Sequence, residues 1–306
     1  MKTFKPALAA AMIAGALAAP LAMAAPTVGF APGNGTTAGY STYADLWTNV
    51  TNTGLATDFI PGRVVGPGAT APYLTELRSQ MVIGTMTNSN LPGIVTPAGL
   101  NSTFEISKVV RFQELVDAQT ANTAHFTLPA SQSAAMDVDL DRAGVQNLAI
   151  YFDNITDGSV AVPGGPNSVR CYGGGSTSAG CGGAGGDGDG IMILSGHLVF
   201  NDASFTANGP IGTGSFDSRF QIDYVNPDYL DIVTGSIFQD KLTGTTNVPS
   251  FFHPQEMWDG SMPTTVPFLK VDSSQSFAAI PEPATLALMG LGFAGLALGR
   301  RRKVQS

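Results

Sequence analysis

The chain has 306 residues, 15 basic and 23 acidic, for a net charge of −8, and 43% of it is apolar. An acidic balance of this kind argues against a nucleic-acid partner, whose phosphates recruit clustered Lys and Arg. Charged residues are only 12% of the total while Gly numbers 37 and Pro 20, the composition of turn-rich β structure.

At the N-terminus, Lys2 and Lys5 precede an apolar, alanine-rich run from Ala7 to Ala19. Ala22-Met23-Ala24 then places small residues at the two positions a signal peptidase reads. Residues 1–24 are therefore expected to be a cleavable signal helix, cut by signal peptidase before Ala25. An anchor that stays in the membrane is the alternative.

The body, residues 25–279, is long enough for one large β domain or two small ones. Pro26 to Gly39 reads as a loose arm, Tyr40 to Leu46 as a short strand or turn, and Gly62 to Pro72 as punctuation. Tyr73 to Met86 is expected to form a strand or a hairpin. Thr103 to Ala118 fits both periods, with a strand favoured by the alternation of Phe104, Ile106, Val110 and Phe112. His125 to Leu128, Ala135 to Leu140 and Asn147 to Ile155 follow as short strands. Ile191 to Phe205 is expected to be two strands turning at Asn201-Asp202. Ser215 to Val225 alternates cleanly, with Phe216, Phe220, Ile222 and Tyr224 against Asp217, Arg219, Gln221 and Asp223. Asp228 to Ser261 reads as loop-rich, and Pro267 to Ala279 as a last strand. Many short strands between turn signals predict an all-β, antiparallel β-sandwich. The glycine-rich insert at 164–190 marks the boundary if there is a second domain.

Several groups could carry chemistry. Asp137-Val138-Asp139-Leu140-Asp141 begins like a calcium loop, but the sixth and twelfth positions are Arg142 and Leu148 where Gly and Glu are required. On a strand the three aspartates would share one face, and a hard cation would relieve their repulsion. Asp187 and Asp189, set among glycines, form a second candidate calcium site; otherwise they belong to a solvated loop. Calcium is thus the one cofactor considered. Cys171 and Cys181 bracket a Gly/Ser-rich loop and are expected to form a disulfide in an exported chain, contributing about 2–3 kcal/mol. A metal site would need further ligands from His125, His197 or His253, none at a recognised spacing.

No Gly-x-Ser-x-Gly is present, and Ser195-Gly196-His197 is no known catalytic spacing. A pair of carboxylates for glycoside cleavage remains open, being distant in sequence. Trp47 and Trp258 could stack on sugar rings or fill a core. The expectation is no enzyme and no catalytic residue.

The C-terminus is organised differently. Pro281-Glu282-Pro283 interrupts regular structure. Ala284 to Gly299 carries no charge and as a helix would span roughly 24 Å, against a bilayer core of about 30 Å. Arg300-Arg301-Arg302-Lys303 follows and would hold that end in the cytoplasm. A buried helix of a soluble domain is the alternative to a short transmembrane helix.

Residues 280–306 resemble the PEP-CTERM sorting signal of Gram-negative bacteria. The resemblance implies that a membrane-embedded exosortase recognises Pro281, Glu282 and Pro283, removes the helix with Arg300, Arg301 and Arg302, and releases the body to the cell surface or an extracellular polysaccharide matrix. Processing at both ends removes Lys2, Lys5, Arg300 to Lys303 and Glu282, leaving roughly 9 basic and 22 acidic residues, a net charge near −13.

A second resemblance covers the last third of the body. Gly214-Ser215-Phe216, Asn226-Pro227, Leu230-Asp231-Ile232, a Thr243-Gly244-Thr245 strand, Trp258, and Lys270 to Phe277 just ahead of the sorting signal look like flocculation-associated PEP-CTERM proteins. This implies an exported, non-enzymatic protein that works with exopolysaccharide in cell aggregation and floc or biofilm formation. The rival expectation is a secreted carbohydrate-active enzyme or a calcium-dependent carbohydrate-binding module.

Overall fold

The structure, a computed structural model, describes residues 27–49, 52–91, 93–139, 141–154, 190–208, 211–246, 257–259 and 268–277. The expected signal helix at 1–24, the C-terminal helix and sorting residues at 280–306, the cysteines, Asp187 and Asp189 lie outside those residues. Among the described residues no helix is long and apolar enough to cross a membrane.

The described strands are β1 (Val28–Phe30), β2 (Thr42–Ala44), β3 (Leu46–Asn49), β4 (Asn52–Thr57), β5 (Tyr73–Thr87), β6 (Phe104–Gln119), β7 (Thr123–Thr127), β8 (Leu148–Asn154), β9 (Ile191–Asn208), β10 (Ile211–Val225), β11 (Leu230–Asp231), β12 (Ile237–Thr245) and β13 (Phe268–Ser276). A single helical turn, α1 (Gly35–Ala38), and a 3-10 turn at Ala134–Met136 complete them. The all-β, antiparallel expectation holds. Pairing is antiparallel in every ladder between these strands.

The larger sheet closes on itself, whereas the two sheets of a sandwich keep free edges. β5 pairs with β6 on one side and with β3 and β4 on the other. β6 leads through β7 and β8 to β9, then β10, β12 and β13, and β13 returns to β3 and β4. β3 and β4 lie end to end along β5, and β7 and β8 end to end along β6, so the ring has eight strand positions. An eight-stranded closed sheet has an interior just wide enough to be filled by side chains or to hold one small ligand.

Between β7 and β8 the chain leaves the ring, and two side-chain amides bridge the gap along β6. Gln132 Oε1 accepts from the Gln113 amide (2.7 Å) while its Nε2 donates to the Gln113 carbonyl (3.0 Å). Asn147 Nδ2 donates to the Arg111 carbonyl (3.1 Å), and its Oδ1 accepts from the Leu198 amide (3.1 Å). These bonds satisfy backbone groups that would otherwise be left open on a buried strand.

Strand alternation sends one set of residues inward. One end of the interior is packed by aromatic rings: Phe104 on Phe152 at 5.3 Å, Phe152 on Tyr229 at 4.8 Å, Trp47 on Phe277 at 5.1 Å and Phe238 on Phe277 at 5.2 Å. The small sheet β11-β1-β2 adds Phe30 to this plug, 5.8 Å from Phe104. The expected loose arm is therefore partly ordered and buried, because Val28 and Phe30 belong to the core. Trp47 is fully buried and settles as a core residue.

Outside the ring, Val82, Val109, Ala149 and Tyr151 form a second apolar patch, covered by Val138, Met192 and Trp258. The 257–259 segment is held there by Arg78 Nη1 on Asp259 Oδ2 (2.7 Å) and by the Trp258 amide on Gln80 Oε1 (2.8 Å).

Candidate functional site

Three regions gather polar or titratable side chains. The first is the loop carrying Asp137, Asp139 and Asp141, expected as a strand and found as a turn. Its carboxylates cap backbone amides: Asp137 Oδ1 accepts from the amides of Asp139 (3.1 Å) and Gln146 (3.0 Å), and Asp139 Oδ1 from that of Asp141 (3.3 Å). Asp139 is buried and its Oδ2 accepts from Ser195 Oγ (2.8 Å), with Arg142 Nε 3.4 Å away. The three carboxylates thus do not face one way as a strand would have placed them. Among the described residues no group of three or more His, Cys, Asp or Glu is placed to hold a metal ion.

Ser195 and His197 also part company. Ser195 is fully buried under that loop, whereas His197 Nδ1 sits 2.5 Å from Asp223 Oδ2 at the surface. His125, on β7, has both ring nitrogens engaged, by Asp117 (2.6 Å) and Asp202 (2.9 Å). The hydrogen bond to Asp117, supported by Asp202 and opposed by partial desolvation, holds its pKa above the usual histidine value. An imidazole clamped by two carboxylates is an ion-pair hub rather than a free base.

The second region is the outward face of β7, β9, β10, β12 and β13. Cross-strand register sets polar residues in rows: Thr123, Thr206, Thr213, Thr245 and Lys270; then His125, Ser204, Ser215, Thr243 and Asp272; then Thr127, Asp202, Asp217, Lys241 and Ser274. A fourth row runs Phe200, Arg219, Gln239 and Ser276, with the Arg219 guanidinium 4.6 Å from the centre of the half-exposed Phe200 ring. Adjacent strands lie about 4.8 Å apart, so each row is a regularly spaced line of hydroxyl, carboxylate and ammonium groups. This polarity is the reverse of a lipid-facing barrel, whose apolar residues point outward.

The third region is inside. Lys108 Nζ, fully buried, donates to Asp240 Oδ2 (2.8 Å) and Ser273 Oγ (2.8 Å). Asp240 Oδ1 accepts from Ser273 Oγ (2.5 Å) and Gln275 Nε2 (2.9 Å). Burial lowers the Lys108 pKa, against the pull of Asp240. Beside this pair, Ser218 Oγ donates to Asn201 Oδ1 (2.8 Å), and Asn201 Nδ2 donates to Glu114 Oε1 (2.7 Å). Burial pushes the Glu114 carboxyl up to about 7, the Asn201 hydrogen bond pulling the other way. Beyond Glu114, at the end opposite the aromatic plug, a cavity of about 220 Å³ is lined by Leu77, Phe126, Phe205, Phe216 and Leu269, with Phe59 and Pro61 at its rim.

Residues 279–303 match the family model of the PEP-CTERM protein-sorting motif. The chain carries a PEP-CTERM sorting signal. It is accordingly an exported protein sorted at the membrane as an exosortase substrate, and the signal contains Pro281, Glu282 and Pro283 and the arginines from Arg300 to Arg302. No curated protein and no solved structure matches the chain significantly.

Sequence reasoning found this sorting signal and missed the interior network and the cavity. Lys108 and Glu114 on β6, Asn201 on β9 and Asp240 on β12 come from three strands, and only the closed register brings them into one interior. A signal was present all the same: each polar residue occupies an inward position in an alternating strand, where an apolar residue is the rule.

Proposed function

We propose that the body is a non-enzymatic component of the bacterial surface or matrix that associates with extracellular polysaccharide and promotes cell aggregation and floc or biofilm formation. The observation that carries this reading is the ordered polar face of β7, β9, β10, β12 and β13. Its rows of Thr and Ser hydroxyls alternate with Asp, Lys and Arg groups, and Phe200 offers an exposed ring at its border. Polysaccharides present hydroxyls, ring faces and often charge at a repeat, and a long, donor-and-acceptor-rich face meets them through many weak contacts at once. The chain's acidic balance fits divalent cations bridging protein to an anionic polymer.

An enzyme would need a dry, shaped site around its acid and base. Asp202 and Asp217 face each other across β9 and β10, but on an open strand face. Each is also already engaged, Asp202 by His125 and Asp217 by Gln239 Nε2 (2.6 Å). That supports a binding role over a cleaving one.

The test is co-sedimentation of the purified protein with host exopolysaccharide, with and without calcium, alongside a Ser215→Glu/Thr243→Glu variant. Saturable binding that the variant loses is expected. Retention of full binding by the variant, or release of reducing sugars from the polymer, would overturn the reading. A deletion strain that aggregates normally would remove the flocculation role.

A further inference from the structure

We propose that the open end of the barrel interior is a binding site for one small amphiphilic alcohol, a compact alkyl or aryl body carrying a single hydroxyl that hydrogen-bonds to Glu114. The cavity there, about 220 Å³, is walled by Leu77, Phe126, Phe205, Phe216 and Leu269. An apolar cavity of about 150 Å³ already admits benzene, so this one has room for a molecule of roughly ten non-hydrogen atoms. Among the described residues, the end of the interior opposite the cavity is filled by the aromatic plug.

The chemistry of the floor sets the ligand class. Glu114 is an interior carboxyl that lines the cavity, and its Oε1 accepts from Asn201 Nδ2. Opposite it on β5 stands Thr75, and on β10 Ser218, which bonds Asn201. A carboxyl offers more hydrogen-bonding capacity than the one bond from Asn201 uses, and a ligand group in the cavity can take up the rest. With its pKa near 7, Glu114 is present both as a donor and as an acceptor at neutral pH. A hydroxyl can answer either form, since it both donates and accepts. The walls offer the remaining surface to hydrocarbon.

The rim is built to stay in place and to admit apolar matter. Phe59 packs on Phe126 and Phe205 at 5.8 Å from each. Its loop is pinned by Tyr73 Oη, which donates to Gln119 Oε1 (2.8 Å) and accepts from the Ile60 amide (3.2 Å). The same loop leaves Ile60 and Val64 about half exposed beside the entrance. Ala207 stands on the wall near the mouth, where a larger side chain would occupy the ligand's space.

The experiment is calorimetric titration of the mature protein, purified from host cells, with 1-octanol, run in parallel on Ala207→Phe, Glu114→Leu and Glu114→Gln. Circular dichroism confirms that each variant is folded. Expected are saturable one-to-one binding to the parent protein, its loss in Ala207→Phe, and a weakening of at least about tenfold in Glu114→Leu, the cost of an unanswered hydroxyl. Glu114→Gln, whose side-chain amide still offers a donor and an acceptor, is expected to stay within about threefold of the parent. No saturable binding to the parent protein would overturn the site. So would binding that Ala207→Phe leaves intact. Equal affinity in Glu114→Leu would overturn the alcohol as the ligand class.

Discussion

At the scale of single residues, Glu114 and Lys108 set how the barrel responds to pH and to substitution. The Glu114 carboxyl is raised from an ordinary value of 4.5 to about 7 by burial, so between those two pH values the folded state holds a proton that the unfolded state has lost. Stability is then full below about 4.5, falls as pH rises to about 7, and levels off above it. The difference amounts to roughly 3 kcal/mol at about 1.4 kcal/mol per unit. Glu114→Gln removes the titration, and denaturant melts at pH 5 and pH 8 are expected to show it more stable than the parent only at the higher pH. An equal difference at both values would mean that Glu114 does not titrate in this window. Lys108 presents the complementary case of a fully buried cation with one carboxylate partner. Lys108→Met alone leaves Asp240 buried without its counter-ion and is expected to cost about 3–5 kcal/mol. Adding Asp240→Asn is expected to restore more than half of that, because the remaining amide still accepts from Ser273 and Gln275. A double-mutant cycle in urea measures the pair directly.

At the scale of elements, the ring depends on how its two interrupted positions are spliced. Asn147 is almost fully buried and bonds the Arg111 carbonyl and the Leu198 amide, whereas Gln132 serves Gln113 from a half-exposed place. Asn147→Ala is therefore expected to cost about 2–3 kcal/mol and Gln132→Ala about 1, read from urea midpoints. Similar losses would show that burial does not decide the difference. The strands on either side were legible in the sequence where inward positions are all apolar, as in the Phe216, Phe220 and Ile222 face of β10. They were illegible where function or packing puts a polar group inside. Asn201-Asp202 reads as a turn, yet β9 runs unbroken from Ile191 to Asn208 because Asn201 turns inward to Glu114 and Ser218. β12 has the same fault, with Asp240 and Gly244 in place of inward hydrocarbon. At residues 135–140 the apparent alternation misled in the other direction, since aspartates that look like one face of a strand instead satisfy the amides of a turn. Closure itself, and with it the cavity, rests on pairings such as β13 with β3 and β4, more than 200 residues apart in the chain, which no local pattern encodes.

At the scale of the whole molecule, polarity divides the work between body and tail. The described body turns rows of hydroxyls and charges outward and keeps hydrocarbon within, so its sheet face offers little to a bilayer. The sorting motif lies in the tail, where an uncharged run stands between Pro281-Glu282-Pro283 and the arginines from Arg300 to Arg302. We propose that the two parts of the motif act on different steps. Cations beside an apolar run favour the cytoplasmic side for that end, and we propose that the proline-glutamate-proline segment is what the sorting enzyme reads. Replacing Pro281, Glu282 and Pro283 by alanine is expected to leave the full-length protein in the membrane fraction, its arginine stub still present by C-terminal peptide mass. Replacing Arg300, Arg301 and Arg302 by alanine is expected to weaken the hold before processing, so that unprocessed chain appears outside the inner membrane. The same fractionation and peptide mass separate the two outcomes. Release of the alanine-substituted 281–283 variant with normal trimming would show that the body, and not the motif, carries the information for sorting.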